Sequence, residues 1–146
     1  MKVDCPGLAD ANSFIKDEYS YNFSNYSPEI VWDDAPSSAK SFAVYVHDPD
    51  APVGNWIHWI VINIPASVKK LEKNQKITPP VTEVENDFRI KRYGGPCPPS
   101  GTHKYYFTVY ALDVEKLGNV DRKNFLSEIK KHELANASFM AKYSKK

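Results

Sequence analysis

No stretch of this 146-residue chain approaches the roughly 18 to 20 consecutive apolar residues of a membrane span. The opening "MKVDCPGLAD" puts an acid where a signal peptide needs its apolar centre, so the chain reads as soluble and cytoplasmic, without stable membrane insertion. Cysteine is scarce: Cys5 and Cys97 lie far apart and form no CxxC pair. A thiolate zinc site is thereby disfavoured, while a disulfide between them stays undecided. An excess of one charge is missing too. The formal net charge is +1, which gives no electrostatic footing for general nucleic-acid binding. Neither HxxxH nor HExxH spacing occurs, and there is no serine nucleophile elbow. A metal-dependent or serine hydrolase is therefore the weakest of the function classes, and no metal, cofactor or catalytic residue is assigned.

Chain breakers are also absent from the tail. All eleven prolines fall between Pro6 and Pro99, and the last glycine is Gly118. Residues 121–143 consequently read as a helix, with Asp121 as N-cap and an apolar stripe of Phe125, Leu126, Ile129, Leu134, Ala137 and Met140. What the chain does have is aromatic residues, nine Tyr, seven Phe and three Trp, which favours β structure. "SFAVYVH" (41–47), "WIHWIVINI" (56–64) and "KYYFTVYAL" (104–112) are apolar on both alternations, as strands buried on two faces should be. A weaker strand, "EIVW", covers 29–32. With no repeat and no linker, residues 1–146 form one mainly β domain: a β-sandwich with a peripheral helix. Residues 1–40 hold three Lys against seven acids, and 121–146 hold seven Lys/Arg against three acids. Two solvated faces account for that polarity.

Three of the four histidines, His47, His58 and His103, fall at ends of the expected central strands. Residues two apart on a strand point the same way. Trp56 thus shares a face with His58, and His103 shares one with Tyr105, whereas His47 and Asp48 point oppositely. If those strands are neighbours, two imidazoles, an indole and a phenol surround one depression. Pro49 and Pro52 stiffen the turn that carries Asp48 and Asp50. A proline-bracketed "DPD" is by itself more often a solvated turn, and Cys97 is most simply a packing residue. The loop "YGGPCPPSGTH" (93–103) leads straight into His103. Its prolines lack N–H groups, so it is no phosphate cradle of the P-loop kind. Gly94 and Gly95 can take positive φ and admit a ligand closely, and the Gly94, Gly95 and Cys97 amides could help hold one small anion.

"HDPDAPVGNWIHWIVINIP" followed by "YGGPCPPSGTHKYYFTVYALD" resembles the phosphatidylethanolamine-binding protein family, also called Raf kinase inhibitor-like proteins. The compact length and "NDF" at 86–88 are similar to its bacterial branch. The resemblance runs from "NYSPEIVWDDAP" (25–36) to "YALD" (110–113). It implies a β-sandwich with a large central sheet, a smaller second sheet and a small anion pocket at one end. Carried onto this sequence, the pocket residues are Asp48, Asp50, Trp56, His58, His103 and Tyr105, with Gly95 and Pro98 on the rim. It also raises a cis Ala51–Pro52 bond, which sequence cannot settle. One departure is the short C-terminal segment, which has no clear match to the tyrosine that closes the mammalian pocket; Tyr143 is a poor substitute.

The expected function is a non-enzymatic binding protein for a phosphate, a phosphorylated headgroup or a carboxylate. In that reading His58, His103 and Tyr105 donate to the anion, Asp48 and Asp50 orient the rings, and binding weakens above neutrality. The alternative is an interaction protein that inhibits a kinase or protease, with the pocket ancillary.

Overall fold

The computed structural model describes residues 1–146. Eight strands and one helix follow in chain order: β1 Lys2–Asp4, β2 Ile30–Asp33, β3 Ser41–Ala51, β4 Gly54–Pro65, β5 Lys70–Leu71, β6 Thr82–Val84, β7 Thr102–Leu112, α1 Phe125–His132 and β8 Glu133–Ser144. They form a three-stranded sheet, β1-β2-β5, and a five-stranded sheet, β6-β4-β3-β7-β8. Every pairing is antiparallel.

Two apolar layers hold the sheets. Between them pack Ile30, Trp32 and Leu71 from the small sheet and Phe42, Val44, Val46, Trp59, Val61, Phe107 and Val109 from the large one. The outer face of the large sheet buries Ala43, Tyr45, Ile57, Ile60, Ile62 and Leu112 against Phe125 and Ile129 of α1. β3 and β4 are therefore apolar on both alternations because each face has its own cover.

The tail departs from the sequence expectation. Only Phe125–His132 is helical; the next twelve residues are β8, paired along the whole of β7. Asp121 makes N-cap hydrogen bonds, its Oδ1 accepting Lys123 N and Asn124 N at 2.8 Å each, but in the turn that leads into α1, which itself starts at Phe125. In "ELANASFMAKYS" Ala135, Phe139, Ala141 and Tyr143 face the core, while Leu134 and Met140 are exposed. That is a period of two. The alanines imitate a helical stripe, but pairing along β7 closes that strand's open edge and buries Ala141 and Tyr143 in the core.

One irregularity positions the site. The register of β3 with β4 shifts between Val46↔Trp59 and His47↔Ile57, leaving His58 as the extra residue. Without that bulge, Trp59 and Val61 facing inward would turn His58 outward. With it, His58 and Trp56 join the inner face. The Ala51–Pro52 bond is trans, and the chain's cis peptide joins Pro79 to Pro80.

Candidate functional site

At one end of the large sheet, strand ends and two loops enclose a cavity of about 310 Å³. Asp48 and Trp56 face each other across β3 and β4, His58 comes from the bulge, and His103 and Tyr105 come from β7. The structure thus brings together five of the eight residues expected from sequence. Asp50, Gly95 and Pro98 do not line the cavity.

Asp48 is buried and fully used. Its Oδ2 accepts from His103 Nδ1 at 2.6 Å and its Oδ1 accepts from Asp50 N at 2.8 Å. The carboxylate only accepts, so the proton lies on His103 Nδ1 and the ring keeps Nε2 for the cavity. Asp50 plays a different part. Its Oδ2 accepts from Lys104 N at 2.9 Å, tying the "DPD" turn to the start of β7. It orients the strand and not an imidazole.

His58 is also set by a partner that can only accept. Its Nδ1 lies 2.6 Å from the Gly94 carbonyl oxygen, so Nδ1 carries the hydrogen. Burial pushes its pKa down to about 4, and the Gly94 hydrogen bond only partly offsets this. At neutral pH the ring is neutral and Nε2 is an acceptor. In the ligand-free protein the structure thus gives His58 an acceptor role at neutral pH, where the sequence reading expected a cationic donor.

Tyr105 is 1% exposed, and its hydroxyl has no hydrogen-bond partner in the protein. Burial, reinforced by the nearby Asp48 charge, pushes its pKa up, so the phenol stays protonated and donates. A buried hydroxyl without a partner is uncommon in folded proteins, and here it belongs to a side chain that lines the cavity.

The apolar wall includes residues that sequence reasoning did not assign: Phe88, Ala51, Pro52, Val53, Cys97 and Pro99. Phe88 meets Trp56 and His58 edge-on, at centroid distances of 5.5 and 5.2 Å, and stacks on Tyr21 at 4.5 Å. The "NDF" triplet holds it there. Asn86, fully buried, donates from Nδ2 to the carbonyls of His58 and Arg92 at 2.8 and 2.9 Å, and Oδ1 accepts from Phe88 N at 2.9 Å. Asp87 Oδ2 accepts from Ile57 N at 2.6 Å. A polar pair followed by an aromatic, just upstream of the glycine loop, was the available signal.

The two loop glycines serve packing and not ligand approach. Neither adopts positive φ. A Cβ at Gly94 would lie 2.5 Å from Phe88 Cδ2, and one at Gly95 would lie 2.0 Å from the Tyr19 carbonyl oxygen. Their amides are spoken for: Gly94 N donates to His58 O at 3.0 Å and Gly95 N to Asn25 Oδ1 at 2.7 Å. Cys97 is exposed and borders the cavity, so it is no core packing residue. Both cysteines are free. Tyr143 lies outside the cavity and donates its hydroxyl to Asp17 Oδ1 at 2.8 Å. No group of three or more His, Cys, Asp or Glu side chains is arranged to hold a metal ion, and no helix is long and apolar enough to cross a membrane.

Known proteins place these features in a family. A UPF0098 protein of Aquifex aeolicus is 38% identical over 135 residues, covering 87% of this chain and 79% of its own. The Escherichia coli UPF0098 protein YbhB is 40% identical over 135 residues, 85% of each chain. Among solved structures, E. coli YbcL, described as a new member of the mammalian PEBP family, superposes with a TM-score of 0.91 at 31% identity, covering 99% of this chain and 98% of that one. A Chlamydia trachomatis PEBP homologue gives a TM-score of 0.88 at 33% identity, covering 99% and 97%. The family model for phosphatidylethanolamine-binding protein matches residues 8–144, and this chain belongs to that family.

Proposed function

We propose that this chain is a non-enzymatic binding protein whose cavity takes a small oxyanion, a phosphate, a phosphorylated headgroup or a carboxylate, with the proton-bearing hydrogen phosphate the best match. The observation that carries the reading is the Tyr105 hydroxyl, buried, protonated and without a partner beside His58 and His103. Around it the polar groups are complementary in kind. Tyr105 donates, while neutral His58 offers an acceptor at Nε2. A hydrogen phosphate answers both, since one P–O⁻ accepts from Tyr105 and its P–OH donates to His58. The ring of His103, held by Asp48, supplies the third polar contact, and Trp56 and Phe88 wall off water on the apolar side. No nucleophile in the cavity is paired with a base: Asp48 is occupied by His103, and the Cys97 sulfur accepts a hydrogen bond from the Asn22 amide at 3.4 Å.

The test compares phosphate with sulfate, which has the same shape but carries no proton at neutral pH. Titrating each into the protein while following the His58 and His103 ring signals by NMR should give saturable shifts with phosphate and at least tenfold weaker binding of sulfate. Equal binding of the two would remove the acceptor role of His58, and unmoved ring signals with both would overturn the site.

One observation favours a protein partner as the second reading. Val53, at the cavity mouth, is 75% exposed, and Phe23, on the neighbouring loop surface, is 52% exposed. Exposed apolar side chains at two adjoining cavities suit docking of a kinase or protease surface. Pull-down with Val53→Ser and Phe23→Ser, set against His103→Ala, separates a rim that docks a partner from a cavity that binds a ligand.

A further inference from the structure

A second cavity, of about 360 Å³, lies on the far side of the wall made by Cys97 and Pro99. Ser20, Asn22, Phe23, Tyr143, Lys145 and Lys146 line it, and it shares none of Asp48, His58, His103 or Tyr105. We infer that it is a separate oxyanion subsite in which Ser20 and Lys145 are the principal donors.

Two independent features point there. The first is Ser20, which is 1% exposed and whose Oγ has no hydrogen-bond partner. The neighbouring Tyr143 hydroxyl donates to Asp17 Oδ1 at 2.8 Å and lies close enough for Ser20 to lower its pKa, but Ser20 Oγ does not reach hydrogen-bond geometry with its oxygen. A buried hydroxyl on the lining of a cavity, left without a protein partner, is a donor in want of an acceptor. The second is the charge on the opposite side. The Lys145 backbone N–H donates to Gly101 O at 2.9 Å, which fixes the chain there, and its ammonium is paired with no carboxylate. Lys146 sits over the Tyr143 ring at 5.2 Å, with its Nζ 3.4 Å from Asp17 Oδ1. Asp17 is the acid facing this cluster, and Lys146 offsets it, leaving the Lys145 charge uncompensated. A hydroxyl donor, an unpaired ammonium and the Asn22 amide suit a phosphate or carboxylate group, whose oxygens accept all three kinds of hydrogen bond.

The subsite stands apart from the first cavity, so it can fail alone. Inorganic phosphate, and in a parallel arm acetate, is titrated into the full chain at constant ionic strength set with chloride. Backbone amide NMR follows both cavities together. The expected result is a saturable shift at Ser20, Asn22 and Lys145 with its own midpoint, distinct from that at His103 and Tyr105. Ser20→Ala and Lys145→Gln should each weaken the second midpoint by about tenfold and leave the first in place. Tyr105→Phe should do the reverse. Saturation by phosphate alone assigns a phosphate site, and saturation by both assigns a general oxyanion site. The inference is overturned if those amides do not saturate, or if both variants leave their midpoint unchanged. Ser20→Ala removes a hydroxyl that makes no hydrogen bond of normal geometry, so the variant is expected to fold, and a thermal melt checks it.

Discussion

Residues 47 and 48 are adjacent on β3, yet they lie on opposite faces of the large sheet and meet opposite fates. On the outer face His47 Nδ1 pairs with Asn55 Oδ1 at 2.6 Å, Asn55 Nδ2 donates to Tyr45 Oη at 2.9 Å, and Tyr45 stacks on Phe125 at 5.1 Å. That chain of histidine, amide and phenol is satisfied within itself. On the inner face Asp48 and His103 are equally well paired, but Tyr105 beside them is not, and about 310 Å³ of space adjoins it. Both faces carry a histidine, a tyrosine and a polar partner. What distinguishes a site from structural polarity is the hydrogen bond left unmade next to room for a ligand.

The largest difference between the faces should come from breaking each polar chain at its hub. Asp48→Ala strips a buried carboxylate from His103 Nδ1 and from Asp50 N together. It should cost about 3 kcal/mol in urea unfolding, because a buried charge-assisted pair loses one partner. Asn55→Ala, on an exposed side chain, should cost about 1 kcal/mol or less. Similar losses for the two would erase the distinction between the faces.

Acid sharpens the same comparison. Burial holds His58 at a pKa of about 4, against about 6.5 in an unfolded chain. Between those values the unfolded state binds a proton that the native state refuses, so stability falls as pH falls from about 6.5 towards 4. The full loss amounts to about 3 kcal/mol. His47 is shifted down as well, again by burial, but it is only partly enclosed. Urea midpoints measured from pH 7 to 4 should therefore flatten strongly in His58→Gln and weakly in His47→Gln. An equal flattening would place the two rings in equivalent environments.

Much of the inner face was legible in the sequence, and the reason is parity. Trp56 with His58, and His103 with Tyr105, obey two-residue spacing, so their joint appearance in one cavity follows once the strands are neighbours. The bulge at His58 was not legible, since a bulge is an event between two strands and Trp59 beside it is equally apolar. Phe88 was missed because its placement depends on Asn86 bonding to carbonyls of His58 and Arg92 from separate segments. Asp50 misled for the opposite reason. It has the right chemistry in the right turn, but its carboxylate serves a backbone amide. The tail misled because alanine suits both periods, and only the free edge of β7 chooses between them.

The smallest and most specific comparison exchanges one oxygen on each face. Tyr45→Phe takes away the acceptor of Asn55 Nδ2, so stability should fall by about 1 kcal/mol while phosphate binding stays unchanged. Tyr105→Phe removes a hydroxyl that bonds nothing in the protein. Its deletion relieves an unmet buried group, so stability should hold or rise slightly. If the cavity uses that hydroxyl, phosphate affinity should drop about tenfold, near 1.4 kcal/mol, by isothermal titration. The two substitutions are chemically identical and lie on β3 and β7 of the same sheet. One should register in folding alone and the other in binding alone; a Tyr105→Phe protein that loses stability but keeps its phosphate affinity would mean that the inner hydroxyl, too, is structural.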